Sequence, residues 1–308
     1  MELIRIEKEI VRLPNPVVAS IGLFDGLHKG HLVLLNETIK EGKENNLKTA
    51  VITFDPHPDF VLKKTDDHFY ITPFEDKKRL IEEMGFDYLI VIEFDLELAN
   101  MEPIDFVRKY LSELNVVRTV VGYDFRFGKK GKGKAEDICL LSNGVIHNTV
   151  IEKVELDGEK VASEIVKKSL VNGDVKKANL MLGRYYEVTG KVIYGKQLGK
   201  TVNVPTANVE FDPKYTKLSK GVYVTIFCVD GEQYIAITNI GHNPTFNYSE
   251  KRSMEAHIID FNKNIYDKVV TVKFIEKIRD EIKFPSIEDF QKQIEKDKEY
   301  ALSLGLLN

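Results

Sequence analysis

The sequence predicts an α/β protein in two parts, an N-terminal parallel sheet covered by helices and a C-terminal antiparallel β domain closed by a terminal helix. Three observations carry that reading. From Val17 to Val121 short apolar runs alternate with amphipathic segments, the pattern of strands buried on both faces by crossover helices. Past Arg184 the texture turns to period-two, β-branched runs: YYEVTGKVIY, GVYVTIFCVD, EQYIAITNI, MEAHIID and VVTVKFI. From Ser286, SIEDFQKQIEKDKEYALSLG has helical spacing, with Ser286 and Asp289 in a capping-box arrangement. A chain of 308 residues accommodates two domains, and the change of texture sets them at 1–184 and 185–308.

The totals narrow the function. With 43% hydrophobic and 30% charged residues the chain is ordinary globular material, and a net charge of −4 argues against a nucleic-acid or anionic-membrane binder. Small molecules are the expected partners, and a weak homo-oligomer is possible. Cys139 and Cys228 lie far apart in apolar surroundings, which suggests neither a disulfide framework nor a zinc site and fits a reducing cytoplasm. The opening MELIRIEKEI has no signal-peptide pattern, and no run approaches the length of a membrane span.

Taken in order, the elements end in chemistry. VVASI runs into SIGLFDGLHKGH (20–31), then a helical pattern. Gly22, Gly26 and Gly30 permit tight turning and close backbone approach, and a helix start favours an anion. His28 and His31, three apart, fall on one side and can serve phosphate oxygens. The next strand, TAVITF (49–54), ends in FDPHP, where Pro56 and Pro58 hold His57 in a rigid loop or turn. Helices are expected over 74–84 and 103–114, with DYLIVI (87–92) between them and VRTVVG (117–122) after. That last strand leads into GYDFRFGKKGKG, where Phe125 and Phe127 read either as core or as a stacking wall for a flat ring. Lysines and glycines over 129–134 read as a solvated loop. EIVKKSLV and DVKKANLML read as two helices. In the β domain, Asp230-Gly231 signals a hairpin, and the several short strands a barrel or sandwich. GKQLGKTVNVPTANVEF (195–211) reads as a turn and strand whose Thr206 and Asn208 oxygens suit a hard cation such as magnesium.

Gly22, Phe24, Asp25, Gly26, His28, Gly30 and His31 match GxFDGxHxGH, so the first stretch resembles the HxGH nucleotidylyltransferases in the form found in bacterial FAD synthetases. Gly122, Asp124, Phe125, Phe127 and Gly128 likewise match GxDFxFG of that family. PTAN (205–208), NIGHNPTF (239–246) and MEAHIIDF (254–261) resemble, in order, three segments of riboflavin kinases. The resemblance covers nearly the whole chain. It implies a Rossmann-like sheet of the HxGH nucleotidylyltransferase type, a small antiparallel β-barrel, and a bifunctional flavin enzyme: ATP and riboflavin give FMN in 185–308, then ATP and FMN give FAD and pyrophosphate in 1–184. It implies Glu255, His28 and His31 as catalytic residues. Nucleotide contacts fall to Gly22, Phe24, Asp25, Gly26, Gly30, Ser163, Lys167, Gly195, Gly199, Pro205, Thr206 and Asn208. Flavin contacts fall to His57, Pro58, Asp124, Phe125, Phe127 and Arg279, and Mg2+ to Thr206 and Asn208. One segment departs from the family pattern: VASEIVK (161–167) stands where FAD synthetases carry ISSTxIR, with Lys167 in place of the arginine. The alternatives are therefore a kinase alone or a flavin-binding regulator.

Overall fold

The computed structural model describes residues 1–63, 69–195, 205–243 and 251–307. They form two compact units, Met1–Ser163 and Glu164–Asn308.

The first unit runs β1 (Glu2–Ile6), β2 (Val17–Ile21), α1 (Lys29–Glu44), β3 (Lys48–Asp55), α2 (Pro58–Val61), α3 (Phe74–Glu83), β4 (Tyr88–Glu93), α4 (Leu96–Asn100), α5 (Pro103–Val107) and β5 (Val116–Gly122). There follow β6 (Arg126–Phe127), β7 (Gly133–Lys134), α6 (Asp137–Leu141), β8 (His147–Ile151), β9 (Glu155–Leu156) and β10 (Glu159–Lys160). Six strands pair in parallel in the order β1-β4-β3-β2-β5-β8. The apolar runs occupy the centre, and all five residues of β2 are buried. From β2 the chain builds outward through β3 and β4, then returns to place β5 on the other flank of β2. The carboxyl end of β2 is thus the switch point of the sheet, where open α/β folds bind ligands.

Two expectations are corrected here. The helix expected over 103–114 is α-helical only to Val107 and continues as a π-helical turn, Arg108–Ser112, which sends both Tyr110 and Leu111 into the core. The sheet also gains edge strands β1 and β8, whose polar or half-exposed residues hide the strand pattern.

α7 (Ser163–Val171) starts at the last residue of the first unit. The second unit continues with α8 (Val175–Leu182), β11 (Tyr186–Ile193), β12 (Ala207–Phe211), β13 (Gly221–Val229), β14 (Glu232–Asn243), β15 (Lys251–Ile258), β16 (Val269–Arg279) and α9 (Ile287–Ser303). The strands close into a barrel in the order β11-β12-β15-β14-β13-β16, which settles barrel against sandwich. Its interior is filled by Tyr186, Tyr223, Phe227 and Phe274, each under 2% exposed, with Thr225 Oγ1 and Thr238 Oγ1 bonded at 2.7 Å. Alternation sends the intervening residues outward. There Val222, Val224, Ile226 and Ile237 cluster with Ala301 of α9, so the terminal helix covers one outer patch of the barrel. Asp230 and Gly231, at φ 51° and 79°, make the hairpin turn between β13 and β14. Ser286 caps α9, its Oγ accepting from the Asp289 amide at 3.1 Å.

Candidate active sites

The loop after β2 is held from behind. The Leu23 carbonyl accepts from Lys77 Nζ at 2.7 Å and from Thr53 Oγ1 at 3.2 Å. Asp25 Oδ1 accepts from the amides of Ile71 and Thr72 at 2.8 and 3.2 Å, and the Asp25 carbonyl accepts from Ser163 Oγ at 2.8 Å. Phe24 sits at φ 50°, its ring buried against Gly22, where a Cβ would come within 3.2 Å of that ring. Gly26, at φ 88°, has a backbone only glycine adopts freely. So of the nucleotide residues expected here, Asp25 and Ser163 shape the loop.

His28 caps α1: its Nδ1 accepts from the His31 amide at 3.3 Å, which leaves the ring proton on Nε2. The two imidazoles stack, with centroids 3.6 Å apart and planes at 15°, and the edge of Phe24 meets His31 at 5.3 Å. Gly30 makes room for this, because a Cβ there would stand 3.1 Å from His28 Cε1. Burial pushes the His28 pKa down to about 4, against a partial opposing pull from Asp25 and Asp124. His31 is held well below the ordinary range, first by burial and then by the charges of His28 and Lys77. Its Nδ1 is enclosed with no partner among the described residues. Two neutral, stacked imidazoles at the positive end of a helix bring together ring N–H donors and a field of the kind that suits an anion.

Around it, His57 caps α2 by accepting from the Asp59 amide at 3.2 Å, with Pro58 in the first helical turn and the Tyr70 ring 6.3 Å away. His57 therefore ends a loop and starts a helix. Asp124 pairs with Lys160 at 2.9 Å, and both charges reach His28. Phe125 and Phe127 stack at 5.7 Å, but only Phe125 is partly open; Phe127 is 5% exposed against Phe106. Lys167 follows Ser163 by four residues, on the same face of α7.

In the second unit, Asn208 of β12 pairs with Glu255 of β15, and Glu255 pairs on its other side with Asn239 of β14. Directly opposed residues share a face with Cβ atoms roughly 5 Å apart, so the three side chains form one row on the outer face. Gly195 lies against that row: a Cβ there would collide with the Asn208 side-chain amide. The Pro205 carbonyl accepts from His257 Nδ1 at 2.9 Å, fixing the strand that carries Thr206 into β12. Asn239 Nδ2 donates to Glu281 Oε1 at 3.1 Å. Asn239 and Glu281 were not among the expected site residues; the signal was NIGHNPTF, whose first residue is Asn239. Arg279 gives Nε and Nη2 to Asp297 Oδ2 of α9, at 3.0 and 2.8 Å, and Nη1 to the Asp280 carbonyl, so it ties down the terminal helix. Gly199 and residues 244–246 of NIGHNPTF lie outside the described residues.

Among the described residues no group of three or more His, Cys, Asp or Glu gathers as a metal site. The side-chain carbonyl of Asn208 nevertheless offers a hard oxygen, the donor type Mg2+ takes while keeping water and substrate phosphate among its other ligands.

Two family models match the chain: FAD synthetase over residues 11–165 and riboflavin kinase over 182–304. The bifunctional riboflavin kinase/FMN adenylyltransferase of Bacillus subtilis is 38% identical, covering 92% of this chain and 91% of its own length. That of Listeria monocytogenes is 35% identical over 92% and 90%. A crystal structure named as a macrolide-efflux protein from Streptococcus pneumoniae superposes with a TM-score of 0.88 at 29% identity, over 97% of this chain and 98% of that one. No helix among the described residues is long and apolar enough to cross a membrane.

Proposed function

Since this chain belongs to the family of bifunctional riboflavin kinase/FMN adenylyltransferases, we propose that it makes FMN and then FAD at two separate sites. The observation that carries the proposal is that each compact unit holds its own reactive cluster: the histidine stack in the first, the Asn208–Glu255–Asn239 row in the second. Adenylyl transfer is assigned to 1–184 and phosphorylation to 185–308.

On the barrel, the terminal hydroxyl of the riboflavin side chain attacks the γ-phosphorus of ATP. Glu255 takes the hydroxyl proton, and ADP leaves. Thr206 and Asn208 would hold Mg2+, which neutralises phosphate charge when bound. In the first unit an FMN phosphate oxygen attacks the α-phosphorus of ATP and pyrophosphate leaves. His28 Nε2–H and the His31 ring donate to phosphate oxygens, with Gly22, Gly26 and Gly30 allowing the backbone close. His57, Asp124 and Phe125 flank the flavin. Cys139 and Cys228 are not joined in a disulfide, which fits work in a reducing cytoplasm.

The test is reciprocal inactivation in one chain. Glu255→Gln is expected to abolish FMN formation and spare FAD formation from supplied FMN; His31→Ala is expected to do the reverse. FAD read by chromatography after incubation with FMN, ATP and magnesium also addresses VASEIVK: a wild-type chain that forms FMN but no FAD would leave a kinase alone. Loss of both activities from either folded variant would sink the two-site division.

A further inference from the structure

The row on the barrel holds a side chain that phosphoryl transfer itself does not require. Asn239 stands directly opposite Glu255 across β14 and β15, on the flank away from Asn208. Its Nδ2 donates to Glu281 Oε1 at 3.1 Å, and a carboxylate only accepts, so the orientation of the amide is determined. The other end, Oδ1, is buried and has no partner among the described residues. Gly241, two residues on along the same face, keeps the arrangement open: a Cβ there would come 2.8 Å from Glu281 Oε1 and 3.4 Å from Asn239 Nδ2. A buried amide carbonyl aimed by a carboxylate and left unbonded is costly unless a ligand supplies the donor.

We propose that Asn239 Oδ1 accepts a hydrogen bond from the secondary hydroxyl of the ribityl chain next to the one that attacks, and that Glu281 is the positioning residue that aims it. This rests on the reading of Glu255 as the base. That carboxylate takes the attacking hydroxyl, and neighbouring oxygens of a polyol lie within hydrogen-bond reach of each other. One cross-strand pair therefore reads two adjacent hydroxyls, and Asn239 makes the kinase select a polyol side chain over a plain hydroxyalkyl one. A pocket built around a buried acceptor discriminates this way, because the analogue leaves the acceptor unpaired.

The experiment compares kcat/KM for riboflavin with that for 7,8-dimethyl-10-(5-hydroxypentyl)isoalloxazine, which keeps the ring, its imide and the attacking hydroxyl but lacks the secondary hydroxyls. Wild type is expected to favour riboflavin by about tenfold or more. Asn239→Ala should lose riboflavin efficiency and leave the analogue nearly unchanged, bringing the ratio toward one. Glu281→Ala should move the ratio the same way, and Glu281→Gln, whose amide carbonyl still accepts from Asn239, should restore it. FAD formation from FMN and the melting curve of the same chain report its integrity. A wild-type ratio in both Asn239→Ala and Glu281→Ala would overturn the proposal. Glu255→Gln separates the two readings: if it keeps phosphorylating, the base assignment fails, while the ratio still decides for or against Asn239.

Discussion

Replacing His28 with asparagine should flatten the acid side of the stability curve. His28 is 6% exposed, and burial pushes its pKa down to about 4, whereas the unfolded chain returns it to about 6.5. The folded state therefore binds fewer protons than the unfolded state between those values, and stability falls as pH drops through that window. With these two pKa values the loss attributable to His28 is about 2 kcal/mol by pH 5 and about 3 kcal/mol by pH 4. His31, shifted the same way, adds to the slope. Asparagine keeps an acceptor at the N-cap, so the start of α1 survives while the titration is removed. Urea unfolding followed by far-ultraviolet circular dichroism suits a chain with no tryptophan. The difference between wild type and His28→Asn removes the His28 titration and relieves His31 of the part of its shift that His28 causes, so it reads the coupled pair. It should shift in favour of the variant by roughly 2 kcal/mol between pH 7 and pH 5. Parallel pH curves would refute the buried, neutral histidine, and with it the reading of the stack as a neutral donor pair.

Gly30→Ala should press on His28 Cε1 at 3.1 Å and lower FAD formation roughly tenfold, with riboflavin phosphorylation unchanged in a coupled ADP assay. Gly195→Ala, whose Cβ would collide with the Asn208 side-chain amide, should lower the kinase kcat/KM on the order of 10²-fold and leave FAD formation from FMN intact. Glu41→Ala should destabilise the first unit by about 2–3 kcal/mol. It strips Arg118 Nε of its 2.7 Å partner and Thr149 Oγ1 of its acceptor in a mostly buried cluster, and a melting scan should show a fall on the order of 5–10 °C.

What was legible in the sequence was local. The alternation of VVASI, TAVITF, DYLIVI and VRTVVG with helices led to the parallel sheet, and the three-residue spacing of His28 and His31 placed both rings on one side. Spacing did not reveal that His28 spends Nδ1 on capping α1, since that depends on where the helix begins. Phe125 and Phe127 carry the same aromatic signal, yet only the chain's path past Phe106 decides that the second is core. Arg279 and Asp297 lie 18 residues apart, and their ion pair appears only when α9 folds back on the barrel. Asn239 is the sharpest case. Within β14 it is one polar residue in an alternating strand, and its neighbour Glu255 is supplied by the pairing with β15. The edge strands escaped because they bury little, and periodicity reports burial.

The barrel interleaves its two duties residue by residue. Asn208 stands between Ala207 and Val209, Asn239 between Thr238 and Ile240, and Glu255 between Met254 and Ala256, the flanking residues all turned into the packed interior. Adding or deleting a single residue in any of these strands, without a bulge to absorb it, would exchange the two sets, pointing the amide or carboxylate inward and an apolar side chain outward. Catalytic competence and solubility would fail together under a one-residue slip, so a deletion scan of these strands would report folding and phosphorylation as a single trait.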